Sequence, residues 1–364
     1  MFSFSMSKQQ KMVKSEVANL VKKIVTDNAL AMDEKREIPA DAIQTAWELG
    51  AAISKVPEEY GGFGMQDSPI ESSIVLEELA YGDMAFTVAV MAPALFISPI
   101  LDLGTEAQKK KYLPLYCKEK FTPCTAAVNE PHFGFDVVSM KTTAEKKNNG
   151  YVLNGVKCMV PIAGKSKHML VAASLDGAPN LFIVSGDNPG LKVGERERNI
   201  GLYALESNKI TLENCEVSKD DRLGGDEGCN FARFLQKSRV AISAIGTGVA
   251  RASYDYAREY AKERVQFGEP IAYRQAVAFM VAEMAYEVDA MRLLTWQAAS
   301  RLENGKDAKR EAYLAKIYTG DKTMHVADYG VQIMGGHGYI RDYPVERYYR
   351  NGRGISTLEG IATI

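Results

Sequence analysis

The chain has 364 residues, of which 46% are hydrophobic and 25% are charged. This is the composition of a globular protein long enough for two or three domains, and it excludes the disordered and collagen-like classes. The 44 Lys and Arg nearly balance the 46 Asp and Glu, giving a net charge of −2. No excess of positive charge therefore points to nucleic acid or an anionic membrane as the main partner.

Cysteine and histidine counts limit the classes of site. The five cysteines form no Cys-x-x-Cys pair, and an odd number argues against a disulfide framework and for a reducing compartment. Four histidines without a His-Glu-x-x-His motif make a metal site an unfavoured expectation. Pro93 and Pro99 interrupt the longest apolar stretch, 84–103, so we expect no membrane span. Segment 1–6 resembles neither a signal nor a transit peptide, which leaves the cytoplasm as the expected location.

Residues 1–120 predict an N-terminal α-helical domain. Helices are expected over 39–50, over 68–81 and over 106–112. Ser68 followed by Pro69 suits a helix cap and a first-turn proline.

Residues 121–224 predict a small β domain. Short runs rich in β-branched and aromatic residues, at 151–155, 168–175, 180–184 and 209–217, are separated by Gly, Asn, Asp and Pro.

Residues 225–364 predict an antiparallel helical bundle. No proline lies between Pro189 and Pro270 or between Pro270 and Pro344, which allows long helices. Apolar residues recur at spacings of three and four along 240–252, 278–294 and 307–334, as one face of a helix requires.

Seven short motifs, taken in order, are more specific than this outline. They are Val56-Pro-Glu-Glu-Tyr-Gly-Gly, Leu103-Gly-Thr-Glu-Ala-Gln-Lys-Lys-Lys-Tyr-Leu-Pro, Asn129-Glu-Pro-His-Phe-Gly-Phe-Asp, Leu153-Asn-Gly-Val-Lys, Arg264-Val-Gln-Phe-Gly-Glu-Pro-Ile, Gln332-Ile-Met-Gly-Gly-His-Gly-Tyr and Tyr343-Pro-Val-Glu-Arg. Together they resemble the flavin-dependent acyl-CoA dehydrogenase family over nearly the whole chain. The resemblance implies a mainly α fold, with an N-terminal helical domain, a barrel-like middle β domain and a C-terminal four-helix bundle.

The segment Arg264 to Gly268 lies where one predicted helix ends. An arginine fork beside a Phe-Gly turn suits a pyrophosphate, because the guanidinium donates in a plane and the glycine backbone allows close approach. The resemblance implies that Arg264, Phe267 and Gln275 hold FAD. An arginine that complements the helix dipole, followed by a C-cap glycine, is the alternative from the residues alone.

The glycine-rich motif at 332–339 follows a predicted helix rather than a strand, so it is no Rossmann fingerprint. It is either a helix stop or, as the resemblance implies, a loop in which Gln332, Gly335 and Gly336 contact the FAD of a neighbouring subunit. The second interpretation implies a homo-oligomer.

Glu359 stands nine residues after Arg350 and is followed by Gly. The resemblance assigns it as the base that removes the α-proton of an acyl thioester while the flavin takes the β-hydrogen as hydride. Some relatives place the base on an earlier helix, where this chain has Ser238, which favours Glu359. A carboxylate in a dry pocket suits a base working near neutral pH, whereas a surface glutamate near a chain end is the simpler alternative.

Substrate contacts are expected on two helices. Ser238 and Arg239 match the family's CoA-binding region, although Arg239 could equally form a structural ion pair. Thr87, Val88 and Met91 match acyl-pocket positions, with simple core packing as the alternative. Because these three are uncharged, we expect an uncharged acyl group rather than a dicarboxylate.

The departures from the family concern the flavin ring. Asn129 replaces a hydroxyl residue, Met159 an aromatic one, and Pro161 a threonine, and Pro161 can donate no hydrogen bond. Three explanations stay open: Asn129 supplies a ring donor, the enzyme runs slow or related chemistry on a CoA thioester, or the chain is a degenerate binding subunit beside an active, related partner. The resemblance also implies an electron-transfer flavoprotein as acceptor.

Overall fold

A computed structural model describes residues 5–364; residues 1–4, which belong to the segment expected to carry no signal peptide, lie outside it. The N-terminal part is helical, in seven helices: α1 (Lys8–Ile24), α2 (Ala29–Lys35), α3 (Ala40–Glu48), α4 (Pro69–Gly82), α5 (Met84–Met91), α6 (Ala94–Leu103) and α7 (Glu106–Tyr116). The Ser68 hydroxyl accepts from the N–H of Glu71, so α4 begins at the predicted cap. α7 runs four residues past its predicted end at 112, because Pro114 sits inside the helix without ending it.

Helix α1 is the main helix that the sequence analysis does not anticipate. Its signal is a capping box, in which Ser7 accepts from the Gln10 N–H while the Gln10 side chain accepts from Ser7. α5 and α6 fill the apolar stretch 84–103, and the pair is bent by 45° at the break between Met91 and Ala94, which contains Pro93. Within residues 5–364 no single helix is long and apolar enough to span a membrane. Only α5 and α6 taken together have the length and apolar composition of a span, and this pair is bent.

The middle of the chain forms one curled seven-stranded sheet. Its strands are β1 (Thr125–Ala127), β2 (Thr143–Lys147), β3 (Gly150–Pro161), β4 (His168–Leu175), β5 (Ala178–Ser185), β6 (Leu191–Arg196) and β7 (Ser207–Ser218). The order is β1-β4-β2-β3-β7-β6, with β5 on the other edge of β4. The predicted run 168–175 coincides with β4, whereas β3 continues well beyond 155 to Pro161.

Three long helices dominate the C-terminal part: α8 (Phe231–Glu263), α9 (Gln275–Glu303) and α10 (Lys309–Met334). The short elements β8 (Val265–Gln266), β9 (Glu269–Pro270), α11 (Gly336–Tyr339) and α12 (Val345–Gly352) complete it. The Asn230 side chain caps α8 through the Arg233 N–H at 3.0 Å. The predicted fold is confirmed: N-terminal helices, a middle sheet and a C-terminal helical bundle.

The final loop, 353–364, joins the central helical core. Ile355, Leu358 and Ile361 are buried with residues of α4, α5 and α8 in one apolar cluster. This loop carries the predicted base between the bundle and the sheet, and apolar burial on the order of 1.5–3 kcal/mol per large side chain anchors it.

Candidate active site

Glu359 sits in this loop, and its carboxylate contacts two cations. The Nη2 of Arg239, on α8, donates to Oε1 at 3.1 Å, and its Nε lies 3.2 Å from Oε1 and 3.4 Å from Oε2. The Nζ of Lys316, on α10, lies 3.5 Å from Oε1. The Glu359 side chain is 14% exposed, so these charges interact away from bulk water. The structure thus brings together the predicted base and the predicted substrate residue Arg239.

Lys316 is a residue of this site that the sequence analysis missed. Its Nζ donates to the backbone carbonyl of Ser356 at 3.0 Å and so ties α10 to the loop that carries Glu359. In the sequence it is one lysine between Ala315 and Ile317 on an amphipathic helix, a pattern shared by many surface lysines.

Asn129 binds the backbone of Glu359. Its Nδ2 donates to the Glu359 carbonyl at 2.5 Å, and its Oδ1 accepts from the Glu359 N–H at 3.0 Å. Gly360, at φ +63°, packs so closely on the sheet that an added Cβ would come 2.4 Å from Val128. Only glycine fits there without displacing Val128, which explains why Gly follows the base.

The positions expected to contact the flavin ring lie at the end of β3. Met159 is half-buried in the left-handed region at φ +53°, and its N–H donates to Oε2 of Glu197 at 2.7 Å. Burial raises the pKa of Glu197. Pro161 is buried and offers no N–H. Asn129, Met159 and Pro161 are therefore brought to one end of the sheet, and their contacts with the ring stay predictions.

Beneath these positions is a buried ion pair. The Lys157 Nζ is 2.8 Å from Oε1 of Glu130 and is fully buried. Glu130 also accepts from the N–H groups of Lys141 and Thr142. Burial alone would raise the pKa of Glu130, but Lys157 and these donors outweigh it and lower that pKa to about 2. Burial lowers the pKa of Lys157 to about 8, against the attraction of Glu130. Both residues belong to motifs that carried the family resemblance, so the signal for this pair was present in the sequence.

The predicted acyl-pocket residues occupy different environments. Thr87 and Val88 are fully buried on α5, and the Thr87 hydroxyl donates to the Asp83 carbonyl. Met91 lines a largely apolar cavity of about 290 Å³ bounded by α1, α3, α4 and α6. Ser238 is fully buried on α8, and its hydroxyl has no hydrogen-bond partner in residues 5–364.

The residues expected to hold a pyrophosphate are exposed at the turn between α8 and α9. Arg264 caps α8, Phe267 is 93% exposed at φ +56°, and Gln275 begins α9. Within the described chain, the side chains of Arg264 and Gln275 form no hydrogen bond or ion pair. Arg274 stacks over the Phe267 ring at 5.7 Å, which adds a second cation to the turn.

The glycine-rich segment after α10 lies against the last turns of α8. Gln332 is exposed, and Gly335 and Gly336 have open space where a Cβ would stand. His337 Nδ1 is 2.7 Å from the Tyr260 hydroxyl, so this segment and the Arg264 turn are held near each other in one chain. Tyr343 stacks on the His337 ring at 4.9 Å.

Comparison with known proteins identifies the family. The chain matches the acyl-CoA dehydrogenase N-terminal domain over residues 7–120, the middle domain over 125–215 and the C-terminal domain over 228–364. It is 35% identical to a glutaryl-CoA dehydrogenase of Desulfococcus multivorans, covering 99% of this chain and 95% of that one. The chain belongs to the acyl-CoA dehydrogenase family.

Two further relatives agree. An acyl-CoA dehydrogenase of Bacillus subtilis is 34% identical, covering 97% of this chain and 95% of the relative. The structure of butyryl-CoA dehydrogenase from Megasphaera elsdenii superimposes with a TM-score of 0.88 at 29% identity, over 97% of this chain and 95% of that chain. This member of the family is accordingly a flavoprotein oxidoreductase whose cofactor is FAD.

The cofactor can be tested against the residues present. Within residues 5–364 no hydrogen bond or ion pair uses the guanidinium of Arg264 or the side-chain carboxamides of Gln275 and Gln332, and these groups are donors of the kind that a pyrophosphate binds. An added Cβ at Gly335 or Gly336 would meet no atom, so the backbone there is open to close approach of an anion, although the Gly335 N–H itself donates to the Gln332 carbonyl. The dinucleotide end of FAD therefore fits this acyl-CoA dehydrogenase.

Proposed function

We propose that this chain catalyses α,β-dehydrogenation of an acyl-CoA thioester, with Glu359 as the base that removes the α-proton. The observation that carries the proposal is the position of Glu359, a largely buried carboxylate at the junction of the sheet and the bundle. Its backbone is fixed by Asn129 and its carboxylate by Arg239 and Lys316. A proton acceptor held in one geometry is what general base catalysis requires.

The two carboxylate oxygens of Glu359 differ, which assigns the proton to one of them. Oε1 faces Arg239 Nη2 and Lys316 Nζ, whereas the contact of Oε2 within the described chain is Arg239 Nε at 3.4 Å. Oε2 therefore has the more available lone pair and takes the α-proton. When bound, FAD supplies the acceptor for the β-hydrogen as hydride. Arg264, Phe267 and Gln275 would hold its dinucleotide end, and Gln332, Gly335 and Gly336 would contact the FAD of a neighbouring subunit.

The acyl group of the proposed substrate is uncharged. Lys55 is the cation that lines the Met91 cavity, and its Nζ is 2.8 Å from Asp67. Lys237 shares this partner: its Nζ lies 2.5 Å from Asp102 and 3.3 Å from Asp67. The two cations are thus matched by two carboxylates, so no positive charge remains for a distal carboxylate of the substrate.

Ser238 and Arg239 are proposed as residues at the CoA end of the site. Arg239 has a second role in the structure, since its guanidinium holds Glu359. Electrons then pass to an electron-transfer flavoprotein, a proposal that rests on family membership.

The proposed assembly is a homo-oligomer formed through α9 and α10. Phe279, Tyr286 and Leu293 recur every seven residues on α9 and are 59%, 56% and 40% exposed. Leu314 and Ile317 of α10, the helix that packs beside α9, are exposed as well. Apolar side chains clustered in this way mark interaction surfaces. Light scattering of the purified chain tests the proposal, and a mass of 40 kDa would contradict it.

The reaction is tested by mixing FAD-loaded protein anaerobically with butyryl-, octanoyl- and glutaryl-CoA. We expect the flavin band to bleach with butyryl- or octanoyl-CoA. The variant Glu359→Gln should bleach more slowly by about 10²–10⁴-fold while keeping its FAD, because it lacks the proton acceptor. Unchanged bleaching in this variant would refute Glu359 as the base. Preference for glutaryl-CoA would refute the uncharged acyl group.

A second candidate function is a binding or assembly subunit that acts beside a related, active chain. It is favoured by one observation: Pro161 has no donor, and the Met159 N–H is already bonded to Glu197. Co-purification of a second chain of the family would support it. Full bleaching of the isolated protein by an acyl-CoA would exclude it.

A further inference from the structure

Asn129 and Glu359 are 230 residues apart in the chain, yet their hydrogen bonds form a closed pair. The Asn129 carboxamide donates to the carbonyl and accepts from the N–H of the same residue, Glu359. Within residues 5–364 these are the hydrogen bonds that the Glu359 backbone forms. Asn129 is 5% exposed, so water does not compete for them.

Asn129 is itself held rigidly. Its backbone carbonyl accepts from the Cys158 N–H at 2.9 Å, which pins it to β3. Its neighbour Glu130 is fixed by the buried Lys157 and by two N–H donors. The Glu359 backbone therefore rests on a fixed point of the sheet rather than on the loop that precedes it.

Two cations hold the Glu359 carboxylate, so the aim of the side chain also depends on how its backbone end is held. Arg239 and Lys316 approach from α8 and α10, on the bundle side. Without the Asn129 bonds, no backbone hydrogen bond within residues 5–364 would hold the backbone end of this side chain. A displacement of about 1 Å at a reacting group can cost on the order of 10²-fold in rate.

We propose that Asn129 is a positioning residue for the base: its carboxamide fixes the Glu359 backbone and thereby aims the carboxylate at the substrate. This inference rests on the proposed function of Glu359. It explains the residue type, since a carboxamide offers a donor and an acceptor on one planar group, whereas a carboxylate only accepts.

The two hydrogen bonds between Asn129 and the Glu359 backbone can be tested independently of catalysis. Amide hydrogen exchange of the FAD-loaded protein is measured by mass spectrometry on the peptide that covers 355–364. Asn129→Ala should speed exchange of the Glu359 amide at least tenfold. Asn129→Asp keeps an acceptor and should lose less protection. Asn180→Ala, which removes another buried asparagine of the same sheet, should leave this peptide unchanged. Unchanged exchange in Asn129→Ala would overturn the proposal.

The role is tested by the rate of flavin bleaching with butyryl- or octanoyl-CoA. Asn129→Ala should lower the limiting rate about 10–100-fold while the acyl-CoA concentration at half-saturation stays within about twofold. Combined with Glu359→Gln, it should cause no further loss, because a positioning residue acts through the base. An equal loss in both backgrounds, or a weakened FAD affinity with normal exchange, would overturn the proposal. If wild type is not bleached at all, the proposed function fails, and the exchange result still decides whether the two hydrogen bonds exist.

Discussion

The base loop and the cofactor turn of this molecule differ in how their polar groups are used. Around Glu359 the polar groups are buried and bonded to one another, from Asn129 through Arg239 to Lys316. At the turn between α8 and α9, Arg264 and Gln275 are exposed and have no hydrogen-bond or ion-pair partner in the described chain. The donors of the turn are available to a ligand, whereas most polar groups around Glu359 are already hydrogen-bonded or ion-paired within the protein.

The two regions also differ in how closely their residues follow the family pattern. The residues of the turn follow the family pattern. Asn129, Met159 and Pro161 depart from it, and they lie where the sheet meets the base loop. The comparison therefore predicts that changes in the two regions affect different quantities: stability and rate in the buried region, and cofactor affinity at the turn.

The largest expected effect is on stability, from Lys157→Met. The substitution leaves the buried Glu130 carboxylate without its cation, which should cost about 3–5 kcal/mol in the free energy of unfolding. The matched control is Lys147→Met, whose pair with Glu216 is exposed and should change stability by less than about 1 kcal/mol. Urea unfolding of both variants measures this, and equal losses would break the distinction between buried and exposed pairs.

The next effect concerns the cofactor turn. Arg264→Met should weaken FAD binding about 10–100-fold. The free energy of unfolding of the apoprotein should stay unchanged, because within residues 5–364 the guanidinium forms no hydrogen bond or ion pair with another side chain. Arg258→Met, six residues earlier on α8, removes an arginine that pairs with Asp255 and Glu259 and should leave FAD affinity unchanged. Fluorescence titration of apoprotein with FAD distinguishes them. Equal affinities in wild type and Arg264→Met would show that this arginine only caps the helix.

The smallest expected effect is a loss of stability in acid. In the folded protein the pKa of Glu130 is lowered from 4.5 to about 2. A depressed carboxyl pKa contributes stability above its unfolded value, and this contribution is lost as the pH falls from about 4.5 towards 2. We expect about 1–2 kcal/mol of this stability to be lost by pH 3. Glu130→Gln should unfold with a flatter dependence on pH in this range, and an unchanged slope would contradict the assignment.

The sequence predicts the fold well where signals are local. The proline-free, periodic segments become α8, α9 and α10, and the alternation of short apolar runs with turn residues becomes the sheet. It does not predict α5 and α6 as helices, because prolines at 93 and 99 suggest breaks, although Pro93 precedes α6 and Pro99 is accommodated within it.

The site is predicted in its residues more than in its contacts. The family resemblance identifies Glu359 and Arg239, but their ion pair joins residues 120 apart, and no periodicity in the sequence indicates such a contact. The same holds for Lys316, which looks like any lysine on a helix, and for Asn129, whose departure from the family pattern suggested a ring donor. Long-range contacts of this kind follow from packing of the domains, which local sequence patterns do not encode.

The most direct test of the account is the mass of an acyl-CoA after anaerobic reaction with an equal amount of FAD-loaded protein. With the wild-type protein, butyryl- or octanoyl-CoA should lose two hydrogen atoms as the flavin band bleaches, and with Glu359→Gln both the acyl-CoA and the flavin band should stay nearly unchanged over the same time. An unchanged acyl-CoA with fully oxidised flavin in the wild-type protein would contradict it.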